Sequence, residues 1–143
     1  MAYTISKEYT FSASHILDWL PNSHPCSRLH GHNYRVLVEL QGDLNPQGFV
    51  IDYHDIDAIM KPWIENNWEH RHLNDSISIP TSEHLARLMW DLMYVHLGEE
   101  RGKLLHRVGV SETEKTWAFY NWQPLEGSTE IIFSDVVVGD LGS

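Results

Sequence analysis

From residue 3 to residue 15 the chain alternates between apolar and polar positions. Tyr3, Ile5, Tyr9, Phe11, Ala13 and His15 fall on one side, and Thr4, Ser6, Glu8, Thr10, Ser12 and Ser14 on the other; only Lys7 breaks the apolar series. A period of two over this length predicts a half-buried strand, with His15 at the end of its apolar face. Residues 16 to 29, holding Pro21, Asn22, Ser23 and Pro25, predict a loop. A second strand follows from about His30 to Gln41. Its even positions, His30, His32, Tyr34, Val36, Val38 and Leu40, share one face.

The period then changes. Gly42 to Gly48, with Asn45-Pro46, reads as a turn, and Phe49-Val50-Ile51 as a short apolar lead-in. Asp52 is placed to cap a helix carrying Ile56, Ile59, Met60, Trp63 and Ile64 at helical spacing, which Pro62 should kink or shorten. A cleaner helix starts at Pro80-Thr81, with Thr81 as N-cap, Leu85, Leu88, Met89 and Leu92 as its stripe, and Gly98 as its stop. Two further strands are expected, around Leu105 to Glu112 and around Thr116 to Tyr120. The order strand, strand, helix, helix, strand, strand gives an α+β fold: a four-stranded antiparallel sheet with two helices packed on one face. Such a sheet has free edges, so association of copies through them is expected.

Composition narrows the partners. A chain of 143 residues with 42% apolar and 21% charged residues is one ordinary soluble domain. No run is long and apolar enough to cross a bilayer, and no basic-then-apolar leader opens the chain, so no membrane partner is expected. The single cysteine excludes an internal disulfide framework and fits a reducing, cytoplasmic setting. A formal net charge of -10 argues against nucleic acid. It also disfavours an anionic substrate, unless a local basic cluster or a metal offsets the field.

The chemistry concentrates in Cys26-Ser27-Arg28-Leu29-His30-Gly31-His32. Two imidazoles spaced i, i+2 on a strand point the same way and repel when protonated, so they need a reason to be together. With His15 at the end of a neighbouring strand they make a three-nitrogen set, which leaves a fourth position open on a catalytic zinc. Zinc is favoured by the all-imidazole donors; iron and nickel stay open. Cys26 reads either as a small buried apolar residue or as a reactive thiol, which Arg28 and a nearby metal would keep as thiolate. Glu69-His70 is a carboxylate beside an imidazole, the usual pair for tuning a proton shuttle, though such pairs in loops are often merely solvated. Glu112, in phase with Val108 and Val110, is either an edge charge or a carboxylate that grips a ligand.

These residues also form a pattern. Phe11-Ser12-Ala13-Ser14-His15, Cys26-x-x-x-His30-Gly31-His32-Asn33-Tyr34, His70-x-x-Leu73-Asn74-Asp75, Pro80-Thr81-Ser82-Glu83 and Val110-Ser111-Glu112-Thr113 together resemble the 6-pyruvoyltetrahydropterin synthase family over about residues 3 to 120. The three residues between Cys26 and His30 are similar to the bacterial 6-carboxytetrahydropterin synthases of queuosine and 7-deazapurine biosynthesis.

The resemblance implies the tunnelling fold, with three chains closing a barrel and two trimers stacking to a homohexamer. It implies 7,8-dihydroneopterin triphosphate as substrate, and 6-carboxytetrahydropterin, acetaldehyde and triphosphate as products of a carbon–carbon lyase. It maps Zn2+ onto His15, His30 and His32, the general base onto Cys26, and a second proton-transfer group onto His70. It maps the carboxylate gripping the pterin's guanidine-like edge onto Glu112. A pyruvoyl-type phosphate elimination, cleavage of another pterin side chain, and a non-catalytic zinc- or pterin-binding relative are the competing readings. The chain departs from the pattern at Glu69, where the family typically has aspartate. It also departs beyond the catalytic domain of residues 1 to 122, in a C-terminal extension, 123–143, that carries Glu130-Ile131-Ile132-Phe133 and Val136-Val137-Val138. Arg28, Lys61 and Arg71 are candidates for the triphosphate by charge alone.

Overall fold

The computed structural model describes residues 3–122, so the extension at 123–143 lies outside the described residues. The two long strands form as the alternation predicts: β1 spans Tyr3–His15 and β2 spans His30–Gly42. They pair antiparallel along their whole length, with Phe11 opposite Tyr34, Ala13 opposite His32 and His15 opposite His30. The register matters more than either strand alone. It brings three histidines from two segments to one end of one face.

Helix α1, Tyr53–Asn67, is capped by Asp52, whose carboxylate accepts the His54 amide at 2.9 Å. It runs through Pro62 for five more residues instead of ending there, because Trp63 and Ile64 are buried in the core beyond it. Strand β3 is two residues, Arg71–His72. Helix α2, Ser82–Gly102, is capped by Thr81, which accepts the His84 amide. Gly98, the expected stop, does break the helical geometry, at φ 87°, and a second short helical stretch follows across the kink as far as Gly102. The left-handed φ is one that glycine adopts without a Cβ clash. Strands β4, Leu105–Ser111, and β5, Ala118–Tyr120, complete the chain; both are shorter than the sequence suggests, and Glu112 lies just past the end of β4.

The sheet has five strands in the order β3-β1-β2-β4-β5. It is mixed, because β3 runs parallel to β1, and this corrects the expected four-stranded antiparallel sheet. A two-residue strand has no period to detect, so β3 is legible only once β1 offers it an edge. The α+β class stands. Tyr9, Phe11, Tyr34, Val36, Val38 and Leu40 from the sheet pack with Ile56, Trp63, Leu85 and Met89 from the helices in one core. Phe11 stacks on Tyr34 with ring centroids 4.8 Å apart, and Trp68 packs against both Phe11 and Trp63, at 5.2 and 4.9 Å. This aromatic layer fixes the sheet end that carries the histidines. No helix among the described residues is long and apolar enough to cross a membrane.

A carboxylate breaks the apolar rule of the core. Asp91 on α2 is only 3% exposed, and its Oδ2 makes no hydrogen bond. Arg87, one turn earlier, stands 3.9 Å away, within ion-pair range but too far for a hydrogen bond. Burial pushes the carboxyl up to about 6, against the opposing pull of Arg87. Asp91 therefore contributes most below its unfolded value near 3.8, and that contribution is lost as pH rises through about 6. Two units correspond to roughly 3 kcal/mol. Asp91→Asn should raise stability relative to the native chain by up to about that amount more at pH 8 than at pH 4. Chemical denaturation at the two pH values measures it; a pH-independent difference would contradict the burial argument.

Candidate metal centre and active site

His15 is 1% exposed at the end of β1, and its Nδ1 donates to the Pro80 carbonyl at 2.8 Å, just before α2. His30 opens β2, and its Nδ1 donates to the Arg28 carbonyl at 2.7 Å. A carbonyl can only accept, so both neutral rings carry the proton on Nδ1 and a lone pair on Nε2. Those two Nε2 atoms face each other at 2.8 Å. Two lone pairs at that distance repel, and a cation between them removes the conflict. The third ring agrees: His32 Nε2 is buried and has no hydrogen-bond partner. The three ligand atoms lie within 4.8 Å of one another. Burial lowers the basicity of His15 and His32, and neighbouring imidazoles lower it further, while the Pro80 carbonyl pulls His15 the other way. Neutral imidazole is the form that ligates metal, so the residues present fit a metal ion. The carbonyl partners hold the ring orientations, as outer contacts do in metal sites.

Glu112 joins this centre from the opposite strand end. Burial pushes its carboxyl up from the ordinary value, and the charge of Glu83 pushes it further; His30 and a hydrogen bond from the Ser82 amide pull it down. Glu112 is also the charge that, after burial itself, raises the Tyr34 hydroxyl. The carboxylate thus sits against the start of α2, where free amides and the helix dipole favour an anion. The β4 phase located Glu112, but Glu83 beside it was read only as part of a motif. An acid in the first turn of a helix is ordinarily a dipole partner, and only the fold shows that two acids converge here.

Glu69 and His70 meet as expected: His70 Nε2 lies 3.1 Å from Glu69 Oε1. The same oxygen accepts the Ser12 amide at 3.3 Å, and the His70 amide donates to the Ser12 carbonyl at 2.7 Å. The longer glutamate is therefore tied to β1 and to the imidazole at once. His70 has φ 56°, a left-handed conformation that costs a non-glycine residue of order 1–3 kcal/mol. Its side chain is 81% exposed. With His32, it lines an open cavity of about 470 Å³ at the ends of β1, β2 and β3.

Cys26 lies on a 3-10 turn, Pro25–Ser27, and is half-buried. Its carbonyl accepts the Leu17 amide at 3.0 Å, two residues past His15, and its amide donates to His24 Nδ1 at 3.1 Å. The thiol is not one of the clustered metal-ligand atoms, and no hydrogen bond or ion pair among the described residues links it to Glu69 or His70. Of the three cations put forward for the triphosphate, Lys61 is committed to Asp57 at 3.6 Å, and Arg71 lines the cavity.

The family model described as 6-pyruvoyl tetrahydropterin synthase matches residues 4–123, nearly the whole described chain. The chain belongs to the 6-pyruvoyl tetrahydropterin synthase family. Two curated relatives illustrate the range within it. The 6-carboxy-5,6,7,8-tetrahydropterin synthase of Synechocystis is 34% identical over 125 residues, covering 82% of this chain and 92% of that protein. A protein of Archaeoglobus fulgidus that provisionally carries the same name is 36% identical over 110 residues, covering 76% and 87%. Among solved structures, the 6-pyruvoyl tetrahydropterin synthase of Caenorhabditis elegans superposes with a TM-score of 0.74 at 26% identity, over 85% of this chain and 96% of that one. The α+β fold is thus shared with a solved member of the family, while the sheet is five-stranded and mixed where four antiparallel strands were expected.

Proposed function

We propose that the chain converts 7,8-dihydroneopterin triphosphate and water into 6-carboxy-5,6,7,8-tetrahydropterin, acetaldehyde and triphosphate, at a zinc ion held by His15, His30 and His32. The observation that carries this is the meeting of the neutral trihistidine cluster with the Glu112 carboxylate at the start of α2. The two relatives described above, each about a third identical over the aligned residues, are named for the carboxy reaction, which favours that branch over the pyruvoyl one. Side-chain oxidation to the carboxyl level is balanced by reduction of the dihydropterin ring, so no outside oxidant is needed.

The bound ion would supply Lewis acidity toward the side-chain hydroxyls. The protein supplies the rest. Glu112 accepts from the donor-rich, guanidine-like edge of the pterin, a planar charge-assisted pairing. Glu83 beside it makes the empty site electrostatically unfavourable, and a donor-rich ligand relieves that repulsion. Cys26 serves as the base for side-chain protons, and His70, oriented by Glu69, as the second proton-transfer group. An 81% exposed imidazole is poorly screened from water. A neighbouring copy closing over the β3 edge would cover it, and this supports a trimer-based assembly.

Incubation with dihydroneopterin triphosphate tests the reading. Acetaldehyde release is expected; a pyruvoyl product without acetaldehyde, or bound pterin without turnover, would replace it by one of the competing readings. For Glu69, the double tie to Ser12 and His70 predicts a graded series. Glu69→Ala should lower kcat by about 10- to 100-fold, as loss of an orienting partner does. Glu69→Asp, too short to keep both ties, should fall between. If Glu69→Ala turns over like the native chain, the relay role is wrong.

A further inference from the structure

We propose that Tyr34 is a positioning residue of the metal centre: its hydroxyl shares the Nδ1 proton of His15, and its ring braces both His15 and His32. This role rests on the reading of His15, His30 and His32 as metal ligands, and adds to them a side chain that does not ligate. Tyr34 follows His30 and His32 in phase on the same face of β2. It is paired with Phe11, and the β1 residues on that face run Phe11, Ala13, His15. Ala13, opposite His32, is the small member of the row. It leaves the phenol a path along the face, and the Tyr34 hydroxyl comes within 3.3 Å of His15 Nδ1.

The chemistry of that contact is set by the proton already placed on His15. Its Nδ1–H donates to the Pro80 carbonyl at 2.8 Å, so the phenol oxygen is a second, longer acceptor of the same proton. Rotation of the imidazole would carry Nδ1 away from both acceptors at once. Nε2 is thereby held toward His30, and a better-supported Nδ1–H makes Nε2 the stronger donor to a metal. The Tyr34 ring adds contacts of its own. It meets His15 at 6.0 Å and 88° between ring planes, and His32 at 5.4 Å and 76°, both edge to face. One side chain thus steadies ligands that come from two strands.

Core packing accounts for the ring but not for the hydroxyl. A phenylalanine at position 34 would stack on Phe11 equally well and keep both edge contacts. Tyr34 is 0% exposed, and a hydroxyl withdrawn from water costs free energy unless it is hydrogen-bonded. The partner it meets is the side of a metal ligand that faces away from the metal. Tyr9 gives the contrast. It is buried on the same face of β1, but its hydroxyl donates to Asp57 of α1 at 2.6 Å, which ties strand to helix and touches nothing in the site.

The test compares Tyr34→Phe with Tyr9→Phe in the full chain. Zinc affinity is measured by competition with a chromophoric chelator, metal-free stability by urea unfolding, and ligand arrangement by the visible absorption of the cobalt(II)-loaded protein. Tyr34→Phe should weaken zinc by about 10- to 100-fold, the range for loss of an outer contact, and should shift the cobalt bands. Tyr9→Phe should lower the stability of the metal-free chain while zinc affinity and cobalt bands stay native. Native zinc affinity in Tyr34→Phe, or zinc weakened alike in both variants, would overturn the positioning role. These measurements use no substrate, so they stand apart from acetaldehyde release. A native chain that binds no zinc would reject the trihistidine centre and this role with it. Tight native binding untouched by Tyr34→Phe would keep the centre and reject the role alone.

Discussion

Replacing His32 by alanine should leave the protein folded while stripping it of its metal and of turnover. The three imidazoles are matched as a set: two are locked by carbonyls with their Nε2 lone pairs inward, and His32 Nε2 is buried without any partner. Removing one donor from a three-donor site should cost more than the roughly 10- to 100-fold that loss of an outer hydrogen bond costs a metal site. Metal content after dialysis and acetaldehyde release read the two effects. A variant that keeps full metal content would show that the cluster is not the site.

The same geometry predicts a pH response. Burial holds the folded His15 and His32 below the ordinary imidazole value, so the unfolded chain takes up their protons first. The metal-free protein should keep its stability above about pH 6.5 and lose it as the pH falls below that. In metal-free His32→Ala the decline should be shallower, which thermal unfolding between pH 5 and pH 8 would record. Bound metal competes with the same protons and should be released over the same interval.

How much of this could be read from the chain depends on where each signal resides. The triad was legible because both long strands carry a clean period of two, and phase alone puts His15, His30 and His32 on apolar faces. That they meet required only that the two strands pair end to end, with His15 opposite His30. The helix starts were legible because Asp52 and Thr81 cap through local hydrogen bonds that need no tertiary partner. The misses share a different cause. Strand β3 exists because Ala13 and Ser14 offer it an edge, and the short helical stretch after the break at Gly98 carries no stripe of its own. The convergence of Glu83 on Glu112, and the cavity that gathers Arg71, His72 and Asn33, are products of strand order. Neither leaves a trace in spacing.

Cys26 is where the chemical reading meets its sharpest trial, because its side chain can be removed with little else disturbed. What holds the turn is backbone: the Cys26 carbonyl takes the Leu17 amide and its own amide goes to His24, and alanine keeps both. The thiol is outside the metal-ligand cluster, so metal content should be that of the native chain. Cys26→Ala should nonetheless lower turnover by about 10²- to 10⁴-fold, the range a positioned acid–base group contributes. Cys26→Ser, which keeps the size but substitutes a far weaker acid, should recover little of it, because a thiolate forms near neutral pH and an alkoxide does not. A purely structural thiol would give the opposite ordering, with serine close to native and alanine only mildly impaired. Native turnover in Cys26→Ala would rule the thiol out as the base and overturn the mechanism.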